Sequence, residues 1–206
     1  MTIAPEGRWI VSGVVALAVA CFWIWGWASW PLWLPSIVII QFFREPARHI
    51  NADNDAILSP ADGHVVFVGK EKSPIDGSPA VKISVFMSVF NVHSNRSPVA
   101  GIILQSERFA GSFFNAALDK ASHNNERHLI EINSPHGRVV CVQVAGLLAR
   151  RVLCYLKTGD TVKAGQRYGF IRFGSRADLY LPPHCVPLVA LGDSVKAGIT
   201  CMATVA

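Results

Sequence analysis

The heptapeptide Gly159-Asp160-Thr161-Val162-Lys163-Ala164-Gly165 returns later in the chain as Gly192-Asp193-Ser194-Val195-Lys196-Ala197-Gly198. Six of the seven positions are identical, and the exception exchanges threonine for serine. Gly-Asp and Ala-Gly are turn-forming pairs, and the valine between them suits a buried position. The repeat therefore predicts a β fold whose halves are hairpins related by pseudo-symmetry.

The chain around the two copies consists of short runs of strand-like composition, separated by glycine and proline. We expect a mostly β domain, a sandwich or barrel of antiparallel strands. One segment, Ser112–Ala121, has a helical pattern. The runs expected as strands are His64–Gly69, Ala80–Phe86, Gly101–Phe109, Arg127–Ile132, Val139–Ala145, Arg151–Leu156, Tyr168–Phe173, Asp178–Leu181 and Ile199–Val205.

The amino end of the chain has a different composition. No Asp, Glu, Lys, Arg or His occurs from Trp9 to Phe43, and five of the six tryptophans cluster near the middle of this run. A bilayer span needs about 20 apolar residues, and two prolines divide the run into predicted helices at Trp9–Trp27 and Leu32–Phe43. Either a hairpin enters the bilayer and returns, or the first helix spans it and the second lies flat. Residues 1–50 are thus expected to be a membrane-associating segment, and residues 51–206 a β-rich domain.

Composition limits the classes of binding partner and the cellular location that we expect for the chain. The net charge of +5, and Arg44, Arg48 and His49 directly after the apolar run, fit an anionic phospholipid membrane. The same basic flank predicts that the β-rich domain lies on the cytoplasmic face of the cell membrane. No Lys/Arg run with interleaved aromatics follows residue 50, which argues against nucleic acid. The five cysteines have no C-x-x-C spacing, and the histidines have no metal-ligand spacing, so neither a disulfide framework nor a metal site is expected.

The pair Gly174-Ser175 lies between the two copies of the heptapeptide. A serine can attack the carbonyl carbon of the peptide bond that precedes it, and a glycine shields that carbonyl little. Most Gly-Ser pairs are simply turns. A reactive serine also needs a base that takes its proton and a group that orients the base.

Two upstream segments supply candidates for these roles. His93 follows an apolar strand in the segment Phe86–Pro98, and Asp62 precedes a predicted strand in the segment Leu58–His64. Serine, histidine and aspartate form a recurring triad that is recognised by geometry. The local alternatives are a histidine that hydrogen-bonds its own loop and an Asp-Gly turn, and both stay open at this point.

Four segments, in order along nearly the whole chain, resemble the short form of the pyruvoyl-dependent phosphatidylserine decarboxylase family. They are Phe42–Pro46 (FFREP), Ser59–Gly63 (SPADG), Phe86–Pro98 (FMSVFNVHSNRSP) and Gly165–Ser175 (GQRYGFIRFGS). Four spaced matches are more specific than any one of them.

The resemblance implies a proenzyme that cuts itself between Gly174 and Ser175. The products are a large (β) chain, residues 1–174, and a small (α) chain, residues 175–206, which begins with a covalent pyruvoyl group derived from Ser175. That group forms a Schiff base with the amine of phosphatidylserine, and loss of CO2 leads to phosphatidylethanolamine. The resemblance gives His93 the proton transfers, and it gives Asp62 the orientation of the base or the shaping of the cleavage site. No metal is required.

One position departs from the longer members of the family, which have two histidines three residues apart. His93 matches the first, and Arg96 stands in place of the second. The planar guanidinium of Arg96 is a candidate ligand for the lipid phosphate or carboxylate. The alternative is that Arg96 is a surface residue without a specific function.

Two rival functions stay open, as does the oligomeric state, a homo-oligomer included. A membrane-anchored lipoyl- or biotinyl-type carrier or adaptor would use no catalysis, with Lys120 as its carrier lysine. A pyruvoyl-dependent decarboxylase of a soluble amino acid would need no membrane segment.

Overall fold

The computed structural model describes residues 2–50, 56–111, 125–146, 152–172 and 175–205. The chain divides into two compact units, Met1–Ala47 and Arg48–Ala206. Strands make up 46% of the chain, which confirms the mostly β fold class. The predicted helix at Ser112–Ala121 lies outside the described residues.

The first unit is helical and confirms the two predicted helices to within two residues at each end. Helix α1 is followed by a 3-10 segment whose first residue, Gly26, has a left-handed φ of +56°. Pro31 lies inside that segment. The elements are β1 (Thr2–Ile3), a 3-10 turn (Pro5–Gly7), α1 (Arg8–Trp25), the 3-10 segment (Gly26–Leu32), α2 (Trp33–Phe42) and β2 (Arg44–Glu45), which pairs with β1.

The helical run of this unit is a candidate membrane anchor. It extends over Pro5–Phe42, 38 residues, and is long and apolar enough to cross a bilayer. Its indole rings are exposed, with Trp23 and Trp27 each 84% accessible. Exposed apolar surface costs about 25 cal/mol per Å2 in water, whereas indole rings are favoured at a membrane interface. The exposed face therefore suits lipid.

The second unit consists of short and medium strands. The described part of each of the nine predicted runs overlaps a strand, whereas Arg151 and Phe173 lie outside the described residues. The two- and three-residue strands β3, β6, β11, β14 and β15 were not predicted. The strands are β3 (Ala56–Leu58), β4 (Gly63–Lys72), β5 (Pro79–Met87), β6 (Ser94–Arg96), β7 (Gly101–Phe109), β8 (Arg127–Ser134), β9 (Gly137–Val144), β10 (Val152–Cys154), β11 (Thr161–Val162), β12 (Arg167–Ile171), β13 (Ser175–Leu181), β14 (Cys185–Pro187), β15 (Ser194–Val195) and β16 (Cys201–Val205).

The described strands of this unit form one curled eight-stranded sheet and two three-stranded sheets. The large sheet has the order β11-β7-β8-β9-β13-β5-β4-β15, and the small sheets have the orders β10-β12-β6 and β14-β16-β3. Read from either edge, the large sheet presents equivalent strands: β11 corresponds to β15, β7 to β4, β8 to β5 and β9 to β13. An approximate twofold axis therefore passes between β9 and β13.

The two heptapeptides occupy equivalent positions in the two halves. Gly159 and Gly192 both have φ of +92°, and Gly165 and Gly198 have φ of +70° and +69°. In each copy the aspartate Oδ2 accepts a 2.8 Å hydrogen bond from the main-chain N–H three residues earlier. Left-handed φ favours glycine, so the repeated glycines fix the repeated turns. The predicted pseudo-symmetry is confirmed.

The twofold relation also explains the place of Ser175. In one half, β8 and β9 are joined by a tight turn in which Ser134 Oγ donates to the Gly137 carbonyl at 2.7 Å. In the other half, the corresponding strands β5 and β13 pair directly, with Met87 opposite Ser175. The whole first half is inserted between them in the sequence. Ser175 therefore lies where the other half has a hairpin turn.

The hydrophobic core lies between the large sheet and the two small sheets. Ala177 and Leu179 of β13 face this core, and Arg176 and Asp178 alternate with them toward the opposite face. Arg176 Nη2 donates to Asp178 Oδ2 at 3.1 Å, and both residues are 1% exposed. These buried charges hide the apolar alternation. The strand was consequently predicted to start at Asp178, whereas it starts at Ser175.

Candidate active site

Ser175 is the first residue of β13, a central strand of the large sheet. It is 0% exposed. Its hydroxyl donates to the thioether sulfur of Met87 at 3.4 Å. A thioether is a weak acceptor, so the hydroxyl is held in place without a strong competitor for its proton. Gly174, the other half of the predicted cleavage site, lies outside the described residues.

His93 lies in the loop between β5 and β6, shortly after Met87. It is 0% exposed, and its ring centroid is 6.3 Å from that of Phe170. Its Nδ1 is 3.0 Å from the carbonyl oxygen of Asn91. Because a carbonyl only accepts hydrogen bonds, Nδ1 must carry the proton, and in the neutral ring Nε2 then carries the lone pair. This tautomer is the one that a base acting through Nε2 requires.

The turn before His93 is braced by one side chain. Asn91 Oδ1 accepts hydrogen bonds of 2.8 Å from both the main-chain N–H and the hydroxyl of Ser88. The main-chain N–H of Asn91 donates to the Ser88 carbonyl at 3.0 Å. Since Asn91 also supplies the carbonyl that holds Nδ1, the turn fixes the orientation of the His93 ring.

Asp62 joins the two ends of the second unit. Its Oδ2 accepts from Arg48 Nη2 at 2.7 Å, and its Oδ1 accepts from the main-chain N–H of Ala197 at 2.8 Å. Ala197 belongs to the second heptapeptide. The hydrogen bond at Nδ1 of His93 goes to Asn91, so the orienting role of Asp62 toward His93 stays a prediction.

The twofold relation shows that Asp62 is not a repeated structural feature. Ser59 and Ser97 occupy equivalent places, and each hydroxyl donates at 2.7 Å to the carbonyl two residues later. Counting onward from these serines, the position equivalent to Asp62 in the other half is Ala100. The carboxylate therefore breaks the pseudo-symmetry on the half that also contains Ser175.

Arg96 contacts both copies of the repeat. Its Nη1 donates to the Gly165 carbonyl at 3.1 Å, and its Cδ lies 3.1 Å from where a Cβ on Gly198 would be. These contacts give the half-buried side chain a structural task. Its predicted role in binding the lipid headgroup stays a prediction.

Three side chains near Ser175 were not singled out as site residues from the sequence. Met87, Asn95 and Gln143 are each 0% exposed. Gln143 Nε2 donates to Asn95 Oδ1 at 2.8 Å, and Asn95 Nδ2 approaches Met87 Sδ at 3.9 Å. The signal that points to Gln143 is an isolated amide within the otherwise apolar run of β9.

Arg172 is a further residue that the sequence left unassigned. It lies three positions before Ser175 and is half-buried. Its Nε is shielded from solvent and has no hydrogen-bond partner among the described residues. A guanidinium with an unused donor, close to the serine in the sequence, is suited to an anionic group of a substrate.

Three cysteine thiols are poor candidates for a nucleophile. Burial raises the pKa of the Cys141, Cys154 and Cys185 thiols. A thiol reacts as its thiolate, so a raised pKa lowers the reactive fraction of each group at neutral pH. Burial likewise raises the pKa of the Tyr168 hydroxyl well above its usual value.

Comparison with known proteins identifies the family to which the chain belongs. The family model for phosphatidylserine decarboxylase matches residues 36–203. A phosphatidylserine decarboxylase proenzyme of Ralstonia nicotianae is 52% identical over 204 residues, which cover 98% of this chain and 94% of the relative. Proteins of the same name from Polynucleobacter asymbioticus and Nitrosomonas eutropha are also 52% identical with the same coverage. The chain therefore belongs to the phosphatidylserine decarboxylase family of carboxy-lyases.

Proposed function

We propose that the chain is a proenzyme that cleaves itself between Gly174 and Ser175 and then converts phosphatidylserine to phosphatidylethanolamine and CO2, a step of phospholipid biosynthesis. The observation that carries the proposal is the buried Ser175 at the start of a central strand, with its hydroxyl held by Met87. The name proenzyme, carried by the relatives, supports it. Family membership argues against the non-catalytic carrier alternative, whose Lys120 lies outside the described residues.

Self-cleavage needs one proton acceptor and one nucleophile. The Nε2 lone pair of His93 takes the Ser175 hydroxyl proton while Oγ bonds to the Gly174 carbonyl carbon. The bond from that carbon to the Ser175 nitrogen then breaks, and the peptide becomes an ester. Loss of the Ser175 α-proton expels the Gly174 carboxylate, and addition of water releases ammonia and leaves a ketone at position 175. General base help of this kind contributes about 10²- to 10⁴-fold.

The small chain has a physical reason to stay in place after the cut. β13 lies between β5 and β9 and pairs with both. β15 pairs with β4, and β16 pairs with β3. Removal of residues 175–206 would open the large sheet at its centre. It would expose to water both the core side chains of β13 and the core residues against which they pack. The two chains are therefore expected to remain one complex.

The residues around position 175 fit a pyruvoyl group. The donor on Asn95 and the apolar side chain of Met87 match a carbonyl oxygen and a methyl group, respectively. When formed, the pyruvoyl group supplies an electron sink for the electrons that CO2 leaves behind. In this proposal, His93 returns a proton to the substrate carbon. Arg172, with its unused Nε, and Arg96 are the candidates that bind the carboxylate or phosphate of the headgroup.

The proposed substrate and the candidate anchor both favour a reaction at a membrane. The apolar run Pro5–Phe42 is a candidate membrane anchor, and phosphatidylserine is itself a bilayer lipid. Arg44, Arg48 and His49 follow the apolar run, which favours the cytoplasmic face. A decarboxylase of a soluble amino acid has no use for such an anchor.

A set of single variants tests the proposal. Ser175→Ala should leave one uncut chain without decarboxylase activity on phosphatidylserine vesicles. His93→Gln should slow cleavage, and any material that does cut should still be slow on lipid. Activity of the Ser175→Ala chain, or parent activity on free serine that equals activity on vesicles, would refute the proposal.

A further inference from the structure

Two buried amides are in contact close to Ser175, Gln143 on β9 of the large sheet and Asn95 on β6 of a small sheet. Gln143 Nε2 donates to Asn95 Oδ1 at 2.8 Å and to the Leu153 carbonyl at 3.3 Å. A main-chain carbonyl only accepts, so the contact with Leu153 fixes which end of the Gln143 amide is nitrogen. Gln143 in turn fixes Asn95 Oδ1. The nitrogen of Asn95 is therefore the end that is directed at Met87.

The Asn95 nitrogen is a buried donor with poor acceptors. It lies 3.4 Å from the Pro60 carbonyl and 3.9 Å from Met87 Sδ. Hydrogen bonds from N–H to oxygen are ordinarily about 2.9–3.0 Å long, and a thioether accepts weakly. Ser175 Oγ lies 3.4 Å from the same sulfur. A stronger acceptor that forms beside Ser175 would therefore draw the Asn95 N–H toward it.

The fold leaves space for this amide pair by having no side chain at position 169. A Cβ on Gly169 would lie 2.5 Å from Gln143 Nε2 and 2.5 Å from the Leu153 carbonyl, and the φ of Gly169 is outside the left-handed region. Space, and not backbone conformation, therefore requires glycine there. Gln143 Oε1 is buried and has no hydrogen-bond partner among the described residues. An amide kept only for structure is normally satisfied.

We propose that Gln143 and Asn95 act as a pair in self-cleavage: Gln143 positions Asn95, and an Asn95 N–H stabilises the oxygen that becomes negative when Ser175 attacks. As the bond from Oγ to the Gly174 carbonyl carbon forms, the carbonyl π electrons move to that oxygen and the hydroxyl proton passes to His93. Collapse restores the carbonyl as an ester, and the Ser175 nitrogen leaves with the proton from His93. The inference rests on the proposed self-cleavage.

Kinetics of cleavage in the full-length chain test the proposal. Asn95→Leu should slow self-cleavage about 10²- to 10³-fold, the effect of removing one oxyanion donor. Gln143→Met should slow it about tenfold, as loss of an orienting partner does. Because Gln143 acts through Asn95, the double variant should be no slower than Asn95→Leu alone. Neither amide titrates, so each slowing should be constant with pH, unlike that of His93→Gln.

Ser97→Ala is the matched control. Ser97 is also 0% exposed, and its substitution removes a buried 2.7 Å hydrogen bond to the Val99 carbonyl. Because Ser97 offers no amide donor, the Ser97→Ala chain should cleave itself at the parent rate. Folding of each variant is checked by denaturation in the uncut Ser175→Ala background. If Asn95→Leu fails to fold, Gln143→Met decides the matter.

Two outcomes would overturn this inference and leave the proposed function intact. In the first, Asn95→Leu cleaves within threefold of the parent rate, or Gln143→Met does so if Asn95→Leu does not fold. In the second, the slowing factors of the two single variants multiply in the double variant. If the parent itself stays uncut, the proposed function fails with it.

Discussion

Loss of either member of the Arg48–Asp62 ion pair should destabilise the β-rich domain by about 3 kcal/mol. The Nη2 and Oδ2 atoms are 2.7 Å apart, and the two side chains are 7% and 11% exposed. Removing one partner of a buried pair costs about 3–5 kcal/mol because the other charge is left uncompensated. The remaining exposure lets water reach the orphaned charge, which places this pair at the lower end of that range.

A double-mutant cycle measures the effect. Arg48→Met and Asp62→Asn, each in the uncut Ser175→Ala chain, should lower the urea midpoint by about 1.5 M at a slope of about 2 kcal/mol per M. The double variant should lose about 3 kcal/mol, not about 6, since the pair is lost only once. All six tryptophans lie in residues 9–33, so pulse proteolysis or circular dichroism is the suitable probe of the β-rich domain. Effects that add to within about 0.5 kcal/mol would refute the coupling.

The same two substitutions separate the contribution of Asp62 to stability from its contribution to self-cleavage. With Ser175 restored, Arg48→Met and Asp62→Asn are matched in stability but differ in the carboxylate. We expect Arg48→Met to cleave itself within about tenfold of the parent rate and Asp62→Asn to be at least about 100-fold slower, as loss of the carboxylate that orients a catalytic base is. The break in pseudo-symmetry at Asp62 is the reason for this expectation. Equal slowing in both variants would show that Asp62 contributes only to stability.

The remaining predictions concern packing and ionisation. Gly169→Ala should cost about 2–3 kcal/mol, because the new Cβ collides with Gln143 and a carbonyl, and urea denaturation of the uncut chain should show it. Burial, with help from Arg108, lowers the pKa of His128 below its ordinary 6.5. The unfolded chain then takes up the proton first, so the stability that neutral His128 contributes is present above pH 6.5 and is lost as pH falls through the folded pKa. His128→Gln should flatten the change in urea midpoint between about pH 7.5 and pH 5.5; an unchanged slope would contradict the assignment. Burial raises the pKa of the Cys141 thiol, so it should escape iodoacetamide in the folded chain and react after unfolding, as read by mass.

Sequence was a good guide wherever local chemistry decides the structure. The glycines of the two heptapeptides require positive φ in both copies, and that requirement made the pseudo-symmetry visible from the sequence. The apolar run at the amino end predicted its two helices because charge is absent over a long stretch. The alternation of β4, β5 and β7 to β9 was readable because these strands present an apolar side to one core.

Pairings between distant segments could not be read from the sequence in the same way. Gln143 and Asn95 lie far apart in sequence, and their contact depends on β6 and β9 both facing one core, which composition does not encode. The contact of Asp62 with Arg48 needs the chain before β3 to return to the turn before β4. Short strands such as β3 and β15 have too few residues to show an alternation. The start of β13 was hidden because Arg176 and Asp178 are buried as an ion pair.

Intact mass of the purified protein tests the central claim most directly. The account predicts two species in one complex, residues 1–174 and residues 175–206, with the smaller one lighter by one ammonia than the product of simple hydrolysis. Borohydride should add two hydrogens to that small chain and abolish activity on phosphatidylserine vesicles. An active preparation that consists of one uncut chain, or a small chain that begins with an ordinary serine amine, would contradict the account.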